Sequence, residues 1–125
     1  MFESGMRDYT PMADRESDGI ILPDSYWGKR LGFTARRWDE NSWLWKDGEY
    51  IIISMVIAKE PGKGHFGSLC RRILQLGYGI RVPTALPWME AIVKAHGFRP
   101  AKVDDPIMGT VELWEKGPGE TWASG

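Results

Sequence analysis

Tyr50-Ile51-Ile52-Ile53-Ser54-Met55-Val56-Ile57-Ala58-Lys59-Glu60-Pro61-Gly62-Lys63-Gly64-His65-Phe66-Gly67 is the stretch on which the fold turns. Its first nine residues are almost unbroken apolar and rich in β-branched types, which suits a central strand buried on both faces. Three successive isoleucines shortly after Asp47-Gly48 argue against a helix here. Pro61 and the glycines break the strand and let the chain turn sharply. Beyond the turn, Leu69, Ile73, Leu74 and Leu76 fall roughly on one helical face, and Gly77 and Gly79 end that helix. A buried strand, a glycine-rich turn and an amphipathic helix make half of an α/β unit.

Upstream, Trp43-Leu44-Trp45 reads as the partner strand, and Lys46-Asp47-Gly48 supplies the Asp-Gly pair that accepts positive φ in a tight hairpin. Phe33-Thr34-Ala35-Arg36-Arg37-Trp38 reads as a further strand, with a turn at Asp39-Glu40-Asn41-Ser42. Asp24-Ser25 is placed to cap a short helix through Tyr26, Trp27 and Leu31, ended by Gly32. Ile20-Ile21-Leu22 is too short to assign. Residues 1–19 read as a loosely held arm or one short helix. Downstream, Ile80-Arg81-Val82 reads as a short strand. Pro87 suits the first turn of a helix carrying Trp88, Met89, Ile92 and Val93, closed by His96-Gly97. Thr110-Val111-Glu112-Leu113-Trp114 alternates like a half-exposed strand, and Gly117-Pro118-Gly119 opens a mobile tail over residues 117–125. The expected fold class is α/β, a mixed central sheet flanked by helices in one domain over residues 20–116. An edge strand in so short a chain leaves room for a homodimer.

Composition bounds the function. A chain of 125 residues is one domain's worth. At 42% hydrophobic and 26% charged residues, it is neither a disordered chain nor a collagen-like repeat. Lys+Arg 16 against Asp+Glu 17 gives a net charge of −1, which argues against a nucleic-acid partner. The single Cys70 has no partner for an intrachain disulfide and fits a reducing cytosol. No apolar run reaches the ~18 residues of a membrane span, and Met1-Phe2-Glu3-Ser4-Gly5-Met6-Arg7-Asp8 lacks the basic-then-apolar order of a signal peptide. The expectation is a cytoplasmic protein with no membrane partner. His65 and His96 have no His, Cys or carboxylate partner at ligand spacing, so no metal is expected. Cys70 reads as helix packing, because no base accompanies it.

Chemistry concentrates in Gly62-Lys63-Gly64-His65-Phe66-Gly67. Glycines bring backbone N–H groups close to a ligand, and the following helix adds unsatisfied donors and a positive dipole end. A phosphate or pyrophosphate is the matching ligand. The P-loop pattern fails, because no Lys-Ser or Lys-Thr follows a second glycine at the required spacing. A dinucleotide fingerprint wants an acidic residue about 20 positions further on. Ile80-Arg81-Val82-Pro83-Thr84-Ala85 offers none there.

Lys59-Glu60-Pro61-Gly62-Lys63-Gly64 resembles the [Q/R]-x-x-G-x-G/A signature of the GNAT acyltransferases, with Lys59 in place of the usual Gln or Arg. The likeness runs from about Trp43 to Trp114. It takes in the hairpin, the long central strand, the loop and its helix with Leu69 at the usual spacing, a short strand, and a helix ending in His96-Gly97-Phe98. The resemblance implies a GNAT-like sheet and an acetyl-CoA-dependent N-acyltransferase that moves an acetyl group to a primary amine of a small molecule or protein. Gly62, Lys63, Gly64, His65, Phe66 and Gly67 would hold the pyrophosphate of acetyl-CoA, and Lys59 would add charge beside it. Val56 and Ile57 would line the pantetheine arm, where the central strand splays from the next.

Acyl transfer to an amine needs proximity, a path for the amine's proton and an acid for the leaving thiolate. The family's frequent tyrosine acid, five residues before the Phe of Gly-Phe, is replaced here by Val93. The remaining catalytic candidates are Glu49, Tyr50 and Ser54 on the central strand, and Tyr78 could approach from the helix end. A rival reading is a catalytically silent GNAT-like fold kept for binding or structure. A third, acyl transfer onto a modified nucleic-acid base, rests on Trp38 beside Arg36-Arg37. Seven tryptophans exceed what a core this size needs, so Trp27, Trp38, Trp43, Trp45 and Trp88 are candidates to line an acceptor pocket, the alternative being core and hairpin packing.

Overall fold

Gly48, at φ 60°, closes the expected hairpin between β2 (Trp43–Asp47) and β3 (Tyr50–Met55). The computed structural model describes residues 18–122. All of the arm before Asp18, and tail residues 123–125, lie outside the described residues. Ile20-Ile21 belongs to β1 (Gly19–Ile21), which pairs antiparallel with β2. Between them, Ser25 caps α1 (Tyr26–Leu31) by accepting the Gly28 N–H at 3.0 Å, and Gly32 ends it at φ 74°. After β3 come α2 (His65–Gln75), β4 (Gly79–Val82), α3 (Pro87–Ala95), β5 (Arg99–Asp105) and β6 (Gly109–Lys116). The sheet order is β1-β2-β3-β4-β6-β5, and β3–β4 is the parallel pair in an otherwise antiparallel ladder. A parallel pair needs a crossover, and the loop with α2 provides it.

Helices cover one face of this sheet. Ile21, Leu44 and Ile53 are successive partners across β1, β2 and β3, and Ile51 partners Ile80, so their side chains share a face. They join one core cluster with Trp27 and Leu31 of α1, Leu69 and Ile73 of α2, and Met89 and Val93 of α3. Among the described residues the other face is left uncovered: Ile20 and its partner Trp45 are both exposed, as is Met55. The expected burial of Tyr50–Ala58 on both faces therefore does not hold. β3 alternates and stops at Met55, and among the described residues no helix lies over its second face.

Three further segments depart from the sequence reading. Phe33–Trp38 is a turn, not a strand. Phe33 and Trp38 are five residues apart, so on a strand they would point to opposite faces. Both rings are buried in the core, 5.8 Å apart. The turn brings them together, held by Arg37 and Trp38 N–H groups on the Thr34 carbonyl and by Ala35 N–H on Asp24 Oδ1. Strand β5 is not expected from the sequence, since Arg99-Pro100-Ala101-Lys102 carries little β-propensity; pairing of its whole length with β6 sustains it at a sheet edge, where proline is tolerated. Residues 117–122, read as part of a mobile tail, are packed. Glu120 pairs with Arg99 at 2.8 Å and accepts the Gly117 N–H, while Trp122 is buried against His96, 3.9 Å between rings, and Phe98.

Candidate functional site

The end of β3 is prepared for a ligand by a break in its pairing. Leu44 partners Ile53 but Trp43 partners Met55, so Ser54 is an extra residue that bends the strand. Beyond it the chain lies against residues 37–42. Ile57 N–H donates to Ser42 Oγ at 2.8 Å, Asp39 N–H donates to the Ile57 carbonyl, and Lys59 N–H donates to the Arg37 carbonyl. Backbone groups alternate sides along an extended chain. Those of Val56 and Ala58 therefore face the opposite side, toward β4. There the β3–β4 pairing runs only from Tyr50↔Gly79 to Ile52↔Arg81, and past Arg81 the two strands share no further partners.

The glycine loop follows. Gly62 and Gly64 stand at φ 86° and 77°, a region that residues with a Cβ rarely enter. Gly64 is also the N-cap of α2 and offers no side chain to cap it. The first helical bond runs from Ser68 N–H to the Gly64 carbonyl. The N–H groups of His65, Phe66 and Gly67 thus sit at the positive end of the helix without a partner among the described residues.

Loop, strand end and α3 enclose a cavity of about 530 Å³. Of the nine residues expected to bind the acyl donor, Val56, Ile57, Gly62, Lys63, Gly64, His65, Phe66 and Gly67 all line it. Lys59 does not; it is exposed, with its backbone tied to Arg37. Trp38, Ala58, Glu60, Pro61, Leu86, Trp88 and Ile92 complete the wall; the sequence reading assigns none of them to the donor site, though it offers Trp38 and Trp88 for an acceptor pocket. Trp88 and Ile92 were legible as one helical face behind Pro87, and Phe66 meets Trp88 edge to face at 5.4 Å. Trp38 stands out in the sequence only as an acceptor-side candidate, and no local pattern ties it to the glycine loop. Titratable groups on the lining are few: Glu60, Lys63 and His65.

The proposed catalytic residues are not brought together. Glu49 is exposed in the hairpin, its carbonyl accepting Gly79 N–H. Tyr50 packs under Arg81, whose guanidinium stands 3.8 Å over the ring and pairs with Glu115 at 2.8 Å. At about 3.3 Å per residue, Glu49 lies roughly 23 Å along the strand from Val56. Ser54 is the nearest of the three to the loop, though it does not line the cavity. Tyr78 packs edge to face on Trp27 at 5.5 Å. Val93 is fully buried in the core. Cys70 is buried too, and burial pushes its thiol well up from the ordinary range. A second hollow of about 490 Å³, between Glu90 of α3 and the β5–β6 hairpin, takes in none of the expected site residues. Among the described residues, no three His, Cys, Asp or Glu side chains converge as a metal site would require, and no helix is long and apolar enough to cross a membrane. Comparison with family models, with curated proteins and with solved structures finds no match to this chain.

Proposed function

We propose that this chain is an acetyl-CoA-dependent N-acyltransferase of the GNAT-like type, moving an acetyl group to a primary amine. The observation that carries the reading is the single cavity that joins three features: the uncapped amides of α2, the glycine cradle and the free edge of Val56–Ala58. Each suits one part of the donor. The amides and the positive helix end favour the pyrophosphate, with Lys63 beside them. The apolar wall of Val56 and Ile57 accommodates an extended chain leading away from the phosphates. The backbone N–H groups on that edge of the strand would polarise the thioester carbonyl in this reading.

In this scheme the amine nitrogen attacks the thioester carbon, and the oxyanion of the tetrahedral adduct is held by the strand's N–H groups. The adduct collapses with cleavage of the C–S bond, and the thiolate takes up a proton as the amine gives one up. Proximity in a shared cavity supplies most of the acceleration such a reaction needs. Ser54, at the bend before Val56, is the polar side chain nearest that step.

Calorimetric titration with acetyl-CoA, using NAD as control, tests the donor site; micromolar binding of acetyl-CoA alone is expected. Release of free CoA thiol with an amine panel then tests transfer. A second reading, a catalytically silent binding fold, is favoured by two observations: Val93 is buried where the acid would stand, and neither Glu49 nor Tyr50 lines the cavity. Bound acetyl-CoA with no turnover on any amine would select it.

A further inference from the structure

Trp38 stands where the strand end meets the glycine loop. The side chain is 1% exposed, its ring lies 6.4 Å from the His65 imidazole, and it lines the cavity beside Val56 and Ala58. Its Nε1 is buried and has no hydrogen-bond partner among the described residues. An indole nitrogen can only donate. Left buried without an acceptor, such a donor costs about 1–3 kcal/mol, so native folds rarely keep one idle. Phenylalanine would present a ring to Phe33 without that cost.

We infer that Trp38 is a ligand-binding donor of this cavity, its Nε1–H bonding to an amide carbonyl oxygen of an extended chain laid along Val56–Ala58. The inference rests on the acyl-donor reading, in which that chain is the pantetheine arm. A neutral donor in an apolar wall suits a neutral amide, whereas phosphate charge calls for the several amides and the lysine of the loop. The backbone of Trp38 is bridged to Ala58, which fixes the indole beside the strand end, while its ring also stands 6.4 Å from His65, the first residue of α2. Nε1 is closed to water, so in this proposal the acceptor reaches it by displacing a neighbour; half-buried His65 and buried Phe33 are the rings beside it.

The test is a titration of ¹⁵N-labelled protein with millimolar pantetheine and, separately, with adenosine 3′,5′-bisphosphate, following the indole N–H resonances. Acetyl-CoA affinity of Trp38→Phe is measured alongside by calorimetry. The Trp38 resonance, assigned by its absence from the variant, is expected to move downfield with pantetheine and stay with the bisphosphate. Acetyl-CoA should bind the variant about tenfold more weakly, the worth of one hydrogen bond. Should the variant fail to fold, the wild-type resonance, assigned through contacts to the Phe33 ring, decides alone. An unmoved resonance with bound pantetheine, or undiminished affinity in Trp38→Phe, overturns the inference and leaves the acyl-donor reading intact. A shift with the bisphosphate alone overturns it as well. No binding of acetyl-CoA at all removes the acyl-donor reading and the inference with it.

Discussion

Gly79 and Gly67 look alike in the sequence and face opposite demands in the fold. A Cβ at Gly79 would lie 2.6 Å from Tyr50 Cε1 and 2.8 Å from the Lys116 carbonyl oxygen, so ring and backbone would both have to shift. Gly79→Ala is expected to cost about 2–3 kcal/mol in a urea unfolding titration. At Gly67 the nearest group is Trp122 Cζ2 at 3.8 Å, an ordinary contact, and the residue is helical. Gly67→Ala should therefore leave stability unchanged or raise it by up to about 1 kcal/mol. The sequence marked Gly67 as part of the motif and Gly79 only as a helix stop, because the crowding at Gly79 comes from Tyr50 of β3 and Lys116 of β6, both distant from it in the chain. Cys70 was legible as packing, and its raised thiol gives a matching expectation: no alkylation of the folded protein by iodoacetamide and full alkylation in denaturant.

Helix ends were the elements most readable in advance. Ser25 both accepts from Gly28 N–H and donates to the Leu22 carbonyl at 2.6 Å, fixing the entry to α1. Ser25→Ala should cost about 1 kcal/mol, measured as the shift in urea midpoint. Helix α2 is built the other way, with Gly64 in place of a capping side chain. Gly64→Ala is expected to lose about 1–2 kcal/mol from its left-handed φ, with weaker acetyl-CoA binding as the loop's amides move. Strands were less legible. The β-rich Phe33–Trp38 became a turn and the β-poor Arg99–Asp105 became a strand, since burial of paired rings and a full ladder partner outweigh propensities of this size.

For the molecule as a whole, the C-terminal segment acts as a clasp between α3 and the start of α2. Trp122 stacks on His96, stands edge to face with Phe98 and touches the Gly67 position, so Trp122→Ala should cost about 3–5 kcal/mol. Glu120 fastens the same segment. The Arg99 guanidinium holds its carboxyl down to about 2, from an ordinary 4.5, helped by the Gly117 N–H. A carboxyl whose folded pKa is depressed stabilises the fold above its unfolded pKa, and that contribution disappears as pH falls from about 4.5 toward 2. Asp18 and Asp105, lowered chiefly by backbone N–H groups, act in the same direction. Thermal unfolding of wild type and Glu120→Gln should differ most near neutral pH and converge near pH 2. Added salt should narrow the difference, because the pair is open to solvent.

The sequence by itself determined the hairpin, the glycine loop, the three helices of the described residues and eight of the residues that share the cavity, because apolar periodicity, glycine conformations and helix caps are local properties of the chain. Only the tertiary structure decided the strand order, the open second face, the clasp of residues 117–122 and the place of Trp38 in the cavity wall. Each of these joins segments far apart in the chain, and their partners are fixed by burial and backbone pairing in three dimensions, which no local pattern encodes.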